Sequence, residues 1–140
     1  MKGQTLIVQF ILFFLIGFSL FSSIGLFFKY QSDIFKNDIT NDNMKLINSY
    51  MSAIVLAETV SCSQCAYANI TVKIQNTTAG NLFEIGMNSN GVNTTVPMSG
   101  KSIVSSIYNL NSSYNTSGFS SSAKPISITF NLLKNNITVS

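Results

Sequence analysis

The chain has 140 residues, of which 46% are hydrophobic and only 9% are charged, and it contains no arginine, histidine or tryptophan. Its net charge of +3 comes from scattered lysines, which argues against nucleic-acid binding because that function needs clustered cations. Without histidine, the commonest general base and metal ligand is missing. Glu58 and Glu84 are the only carboxylates after Asp42, and they fall in different predicted elements. We therefore expect no enzyme activity, no catalytic residues, no metal site and no cofactor.

The segment from Leu6 to Phe28 contains no charge and no proline. As a helix it spans roughly 30–35 Å, which is enough to cross the hydrocarbon core of a bilayer. We expect a membrane-crossing helix and not a buried core helix. Three fates remain open for it: a permanent anchor, a cleaved segment or the core of a filament. A secretory signal peptide would have a shorter apolar core and a better cleavage site than Ser22-Ser23.

The charges at the two ends of this segment predict its orientation. Lys2 and the initiator amine favour a cytoplasmic N-terminus. Beyond the other end, Lys29 and Lys36 are accompanied by Asp33 and Asp38, so they oppose this orientation only weakly. We expect the N-terminus inside the cell and the remainder of the chain outside.

Lys2-Gly3-Gln4, followed at once by an apolar helix, resembles the class III signal peptide of archaeal type IV pilins and archaellins. The resemblance covers about the first 28 residues of the chain. It implies that a prepilin-type peptidase cuts between Gly3 and Gln4 on the cytoplasmic side, so that the helix is kept. Many family members have Glu at the fifth mature position, where this chain has Val8.

The resemblance implies a structural subunit of an archaeal type IV pilus- or archaellum-like filament at the cell surface. A helix that is apolar all round is stable in lipid, and it can equally bury every face against copies of itself. Each large side chain gains roughly 1.5–3 kcal/mol when it moves from water into such a core, although less when it moves from lipid. The alternative is that the aromatic side chains simply face lipid. The predicted filament-packing residues are Phe10, Phe13, Phe14, Phe18 and Phe21.

A second hypothesis is a membrane-anchored accessory protein whose β domain binds a surface-layer or motility component. It resembles the β-sandwich stator proteins of archaeal motility machines. The observations that favour it are Val8 and the polar stretch at residues 37–43.

Residues 37–43 are rich in Asn and Asp, which favour caps and turns. We predict one helix over residues 5–36 and a second over residues 44–59, capped by one of residues 41–43. A continuous, kinked helix is the alternative. Apolar residues at helical spacing in the second part form a stripe that we expect to cover a sheet, since a membrane-surface helix would carry more cations. The stripe consists of Ile47, Met51, Ile54 and Val55 and ends at Glu58.

Cys62 and Cys65 are the only cysteines. Outside the cell, two such residues predict a disulfide, and a four-residue turn brings its ends close enough for one. A thioredoxin-like redox site would need this motif at a helix start after a strand. Zinc would need four ligands, and free thiols are the remaining alternative.

The remaining chain predicts a small antiparallel β-sandwich, so that we expect an α+β fold. Its boundaries are a leader at 1–3, a helical stalk at 4–60 and a β-rich head at 61–140. Residues 88–91 and 135–136 read as tight turns, and residues 112–123 as an exposed loop. The predicted strands cover residues 67–74, 82–87, 92–97, 101–110, 126–130 and 137–139.

Six Asn-x-Ser/Thr sequons follow the apolar segment and mark possible N-glycosylation sites. Because this half of the chain is rich in Asn, Ser and Thr, roughly three or four sequons are expected by chance. A solvated, uncharged polar surface is the alternative. The sequon residues are Asn69, Asn76, Asn93, Asn111, Asn115 and Asn136.

Overall fold

The computed structural model describes residues 2–62, 65–107 and 110–140, and it describes no side chains for residues 2–5, 111 and 112. Its contacts group the chain into two units, Met1–Asp38 and Ile39–Ser140. The second unit contains the last part of the first helix together with all the described strands. The elements are α1 (Lys2–Ser61), β1 (Tyr67–Val72), β2 (Thr77–Thr78), β3 (Asn81–Leu82), β4 (Glu84–Asn88), β5 (Gly91–Val96), β6 (Lys101–Ser105), α2 (Leu110–Ser113), β7 (Asn115–Ser121), β8 (Ile126–Asn131) and β9 (Asn136–Val139), with 3-10 turns at Pro97–Ser99 and Leu132–Lys134.

α1 is a single helix from Lys2 to Ser61, so the prediction of two helices with a cap between them was wrong. Residues 37–43 contain neither Gly nor Pro, and Asn and Asp disfavour a helix by less than about 1 kcal/mol each. Thr40 is buried and Asp42 forms an ion pair with Lys45 at 3.4 Å. Tertiary packing at the start of the second unit therefore outweighs the weak local preference for a turn.

One apolar face of α1 contributes to the core of the second unit, as the stripe predicted. Met44, Ile47, Met51 and Val55 are buried in the same cluster as the side chains of the strands. These four residues lie at helical spacing, so they share one side of the helix. Ile54 packs against the cluster while only partly buried. The α+β fold expected from the sequence is confirmed.

The main sheet has seven strands in the order β1-β8-β9-β7-β4-β5-β6, and β2 and β3 form a separate two-stranded hairpin. All pairs in the main sheet are antiparallel except β7 with β9, which are parallel. The sheet is therefore mixed, and the expectation of a purely antiparallel arrangement was wrong. The two tight turns are as predicted, because Asn88 pairs with Gly91 across one, and Asn135 has a left-handed backbone in the other.

The predicted loop at residues 112–123 instead contains part of α2 and the whole of β7. Asn115–Ser121 has few strand-forming residues, but Thr116 and Ser120 are buried on one face. The first half of β7 pairs with β9, and its second half pairs with β4. β7 thus joins the group β1-β8-β9 to the group β4-β5-β6.

Gly118 lies where β7 changes partner, and its backbone has a φ of +100°. A Cβ atom at this position would lie 2.1 Å from the carbonyl oxygen of Val139 in β9. Only glycine can therefore combine this backbone conformation with this close approach.

A buried hydrogen-bond network fixes α1 on the sheet. The Asn48 side chain is fully buried, and its Nδ2 donates to the carbonyl oxygen of Ile103 in β6 at 2.8 Å. Its Oδ1 accepts from the Thr94 hydroxyl of β5 at 2.6 Å. Because a shift of the helix would leave these polar atoms buried without partners, the network selects one register of α1 on the sheet.

We predict that Gly118→Ala destabilises the protein by more than about 3 kcal/mol, because it adds backbone strain and a clash with β9. Gly80→Ala is the matched control, since Gly80 also has a positive φ but has open space around it. We expect that change to cost about 1 kcal/mol. Urea unfolding of the detergent-solubilised protein, followed by circular dichroism, measures both. Equal losses would contradict the close contact.

We predict that Asn48→Ala lowers the free energy of unfolding by roughly 3 kcal/mol, because it leaves the buried Thr94 hydroxyl and the half-buried Ile103 carbonyl without that partner. Thr94→Val removes one of these groups. The double variant should therefore lose less than the sum of the single variants, by about 1 kcal/mol, in the same unfolding measurement. Strictly additive losses would show that the two side chains are not coupled.

Candidate assembly and membrane surface

The segment from Leu6 to Phe28 exposes its apolar side chains all round the helix. α1 is the described helix that is long and apolar enough to cross a membrane by length and composition, and none of its most apolar window is buried. The large hydrophobic side chains between Leu6 and Phe28 are 50–77% exposed. The Ser23 hydroxyl donates to the backbone carbonyl of Ser19 at 2.8 Å, so this polar group is satisfied within the helix. The segment therefore offers a continuous, charge-free and largely apolar surface.

The five predicted packing phenylalanines are all exposed, between 62% and 77%. Phe10, Phe14, Phe18 and Phe21 are spaced by four, four and three residues, which places them on one side of the helix. Phe13 lies next to this side. The Phe14 and Phe18 rings stack with their centroids 6.4 Å apart. The arrangement is an aromatic face that lipid or another helix can cover.

The glycines of this segment leave open space beside the aromatic face. A Cβ atom at Gly17 or Gly25 would meet nothing within 4 Å. By helical spacing, both glycines lie on the same side as Phe14 and Phe21. A neighbouring helix could approach the backbone closely at these two positions.

The described residues contain no group of three or more His, Cys, Asp and Glu side chains that could hold a metal ion. Glu84 lines an open hollow of about 430 Å³, together with Leu82, Phe83 and Met98. No second carboxylate lines this hollow, so it lacks the pair of acids that general acid–base chemistry often uses. The expected absence of catalysis, metal and cofactor stays a prediction.

The sequon residues differ in their surroundings. Asn69, Asn76 and Asn115 are exposed, whereas Asn93 and Asn136 are half-buried, and the Asn111 side chain lies outside the described residues. Asn69 Oδ1 accepts from the Ser127 hydroxyl at 2.7 Å, and Asn93 Oδ1 accepts from the Ser102 hydroxyl at 2.6 Å. N-glycans attach to the other side-chain atom, Nδ2, so these bonds leave the reacting atom unused. Glycosylation stays a prediction.

Cys62 and Cys65 lie just after the end of α1, and the Cys65 N–H donates to the Cys62 carbonyl at 2.8 Å. Both are thiols in the structure, and the intervening residues 63 and 64 lie outside the described part. A separate side-chain hydrogen bond with Cys65 raises the pKa of the Cys62 thiol to about 11, and desolvation and the charges of Cys65 and Glu58 act in the same direction. The backbone hydrogen bond holds Cys62 and Cys65 close together, while the disulfide itself stays a prediction.

We predict that Cys62 of the reduced protein reacts slowly with iodoacetamide at pH 8, because a raised pKa leaves little of the reactive thiolate. Cys65→Ala removes the largest cause of the shift, so labelling of Cys62 should become several-fold faster. Peptide mass spectrometry after timed alkylation measures this rate. The matched control is Ser61→Ala, which leaves the thiol pair in place. An unchanged rate in Cys65→Ala would contradict the hydrogen bond.

No protein-family model, curated protein or solved structure matches this chain. Its exposed apolar segment, its helix-covered sheet and its paired cysteines are therefore the features from which a function can be inferred.

Proposed function

We propose that this chain is a pilin-like structural subunit of an archaeal type IV pilus- or archaellum-like surface filament. The observation that carries the proposal is the exposed, charge-free surface of Leu6–Phe28. Contact with water is unfavourable for such a surface, because each large side chain has a free energy roughly 1.5–3 kcal/mol higher in water than in an apolar core. Lipid covers it before assembly, and copies of the same helix cover it in the filament.

The leader supports this route to the filament. Lys2-Gly3-Gln4 precedes the apolar segment, and a prepilin-type peptidase that cuts after Gly3 removes the leader and keeps the helix. The N-terminus then lies on the cytoplasmic side and the sheet lies outside the cell. There the Cys62–Cys65 disulfide and N-glycans at the exposed sequons can form.

We also propose that the strands of the second unit form a β-sandwich-like head. Two observations support this arrangement: β7 divides the main sheet into two groups of strands, and one buried cluster contains residues of both groups. Ile85 and Val92 come from one group, and Ile128 and Ile137 come from the other. A sheet that bends at β7 would bring these side chains together across one core.

A membrane-anchored accessory protein is the second candidate. Val8 favours it, because many filament subunits of the resembled family carry Glu at this position. In this case lipid covers Leu6–Phe28 permanently, and the head binds a surface-layer or motility component.

Filament fractions separate the two candidates. We expect the protein in sheared, pelleted surface filaments, identified by mass spectrometry. Phe13→Ala should lower its recovery there roughly five-fold, since about 1 kcal/mol of packing is lost. Phe119→Ala is the matched control, because Phe119 is equally exposed (73%, against 74% for Phe13) but lies in β7. Presence in membranes and absence from every filament fraction would favour the accessory protein.

The N-terminus of the native protein tests the leader. We expect the mature chain to begin at Gln4, and we expect Gly3→Ile to retain Met1 because the bulky residue blocks the peptidase. Gly17→Ile makes the same change at an open position within the helix and should leave processing intact. N-terminal peptide mass spectrometry distinguishes the products. A wild-type chain that keeps Met1 would exclude the prepilin route.

A further inference from the structure

The part of α1 that packs on the sheet carries a second apolar stripe, on the side away from the core. Its members recur at alternating intervals of four and three residues, which places them on one side of the helix, roughly opposite Met51. All of them are exposed, and three are large: 69% for Leu46, 51% for Tyr50 and 76% for Val60. We call this surface the outward face; it consists of Leu46, Tyr50, Ala53, Ala57 and Val60.

The outward face carries no charge. Helix faces that are turned to water normally carry charged side chains. Between residues 44 and 61 the only charged residues are Lys45 and Glu58, and neither belongs to the stripe. Lys45 forms its ion pair with Asp42, and Glu58 is half-buried. A four-turn apolar face without charge indicates that another molecule covers it.

The shape of this surface fits a second α-helix. Alternating intervals of four and three residues are the coiled-coil pattern, and the small side chains of Ala53 and Ala57 allow a close approach. A hollow lies on each side of the stripe, where the ridges of a neighbouring helix could pack. One hollow, of about 240 Å³, is lined by Leu46, Ile47, Tyr50 and Ile74, and the other, of about 440 Å³, is lined by Ser49, Ser52, Ala53, Leu56, Ser105 and Ser106.

We propose that two copies of this chain pair in parallel through their outward faces. The identity of the partner follows from membrane anchoring, so the inference rests on that part of the proposed function. In copies that enter the bilayer by the same segment, the outward face follows that segment at the same distance along the chain, so the same residues can meet in parallel. The outward face of one copy therefore meets the outward face of the other, which forms a self-complementary interface. The pair forms before and independently of any filament.

A bilayer surface is a poor alternative occupant of the outward face. Helices that lie on membranes carry several cations beside their apolar stripe, whereas this segment has only Lys45. A face without charge also offers nothing to select a charged soluble partner. The uncharged outward face of a second copy matches it in both polarity and shape.

Cysteine cross-linking in native membranes tests the pair, with the full chain and with Cys62→Ser and Cys65→Ser as the background. Surface filaments are first removed by shearing. We expect Ala53→Cys to form a disulfide-linked dimer several-fold more efficiently than Lys45→Cys. Lys45 is the matched control because it is exposed on the same helix but lies outside the stripe. A dimer of twice the chain mass, seen on non-reducing gels, supports the pairing.

A second variant keeps this test independent of cysteine reactivity. Adding Ala57→Glu to the Ala53→Cys chain places a charge in the interface and should lower the dimer yield to the level of Lys45→Cys. Adding Lys45→Glu instead also makes the chain more acidic, but outside the stripe, and should leave the yield unchanged. Equal yields at positions 45 and 53, or a cross-link to a protein of another mass, would overturn the pairing.

Carbonate extraction of the same membranes separates this inference from the proposed function. If the chain stays in the membrane while positions 45 and 53 cross-link equally, the parallel pair is wrong and the anchor stands. If carbonate releases the chain, the anchor is wrong and the parallel pair is overturned with it. Cross-linking at position 53 in membranes, together with absence from filaments, supports a paired accessory protein.

Discussion

The need to cover apolar surface on one long helix governs this molecule. α1 has an exposed, charge-free segment at Leu6–Phe28, and further along it has a buried stripe that includes Met44 and Met51. The first surface is stable only in contact with lipid or other apolar helices, whereas the second is covered by the chain's own strands. A single element thus both contributes to the core of the second unit and carries a large exposed apolar surface.

Polar groups decide how the helix packs on the strands. Apolar contacts alone allow a helix to slide or rotate, because they have little directional preference. The buried Asn48 removes this freedom, since it bonds to two neighbouring strands, β5 and β6, at once. Its position on α1 also determines which side of the helix is left exposed. The register of this packing therefore fixes the location of the outward face.

The sequence predicts the helix and most strands because their signals are local. The apolar segment is continuous, and strands such as Ile126–Asn131 alternate buried and half-buried residues as a strand pattern should. Two features were not predictable in this way. Residues 37–43 remain helical because the packing that follows them outweighs weak local preferences, and β7 forms because β4 and β9 offer partners to a segment with poor strand propensity.

Of the candidate surface, the sequence revealed the aromatic residues but not the outward face, because it does not tell which side of an amphipathic helix the core leaves uncovered.

The position of β9 in the sheet affects the order in which the head can form. β9 is the last strand along the chain, yet it lies between β8 and β7, and the backbones of Ser127 and Ser140 exchange two hydrogen bonds of 2.9 Å. The hydrogen-bonded connection between β8 and β7 is therefore incomplete until β9 has been synthesised. Pairing over such sequence distances is slow in general, so a chain that still lacks β9 would present the unpaired edges of β7 and β8. A cell that makes this protein would accordingly need to keep the chain from pairing with its neighbours until β9 is in place.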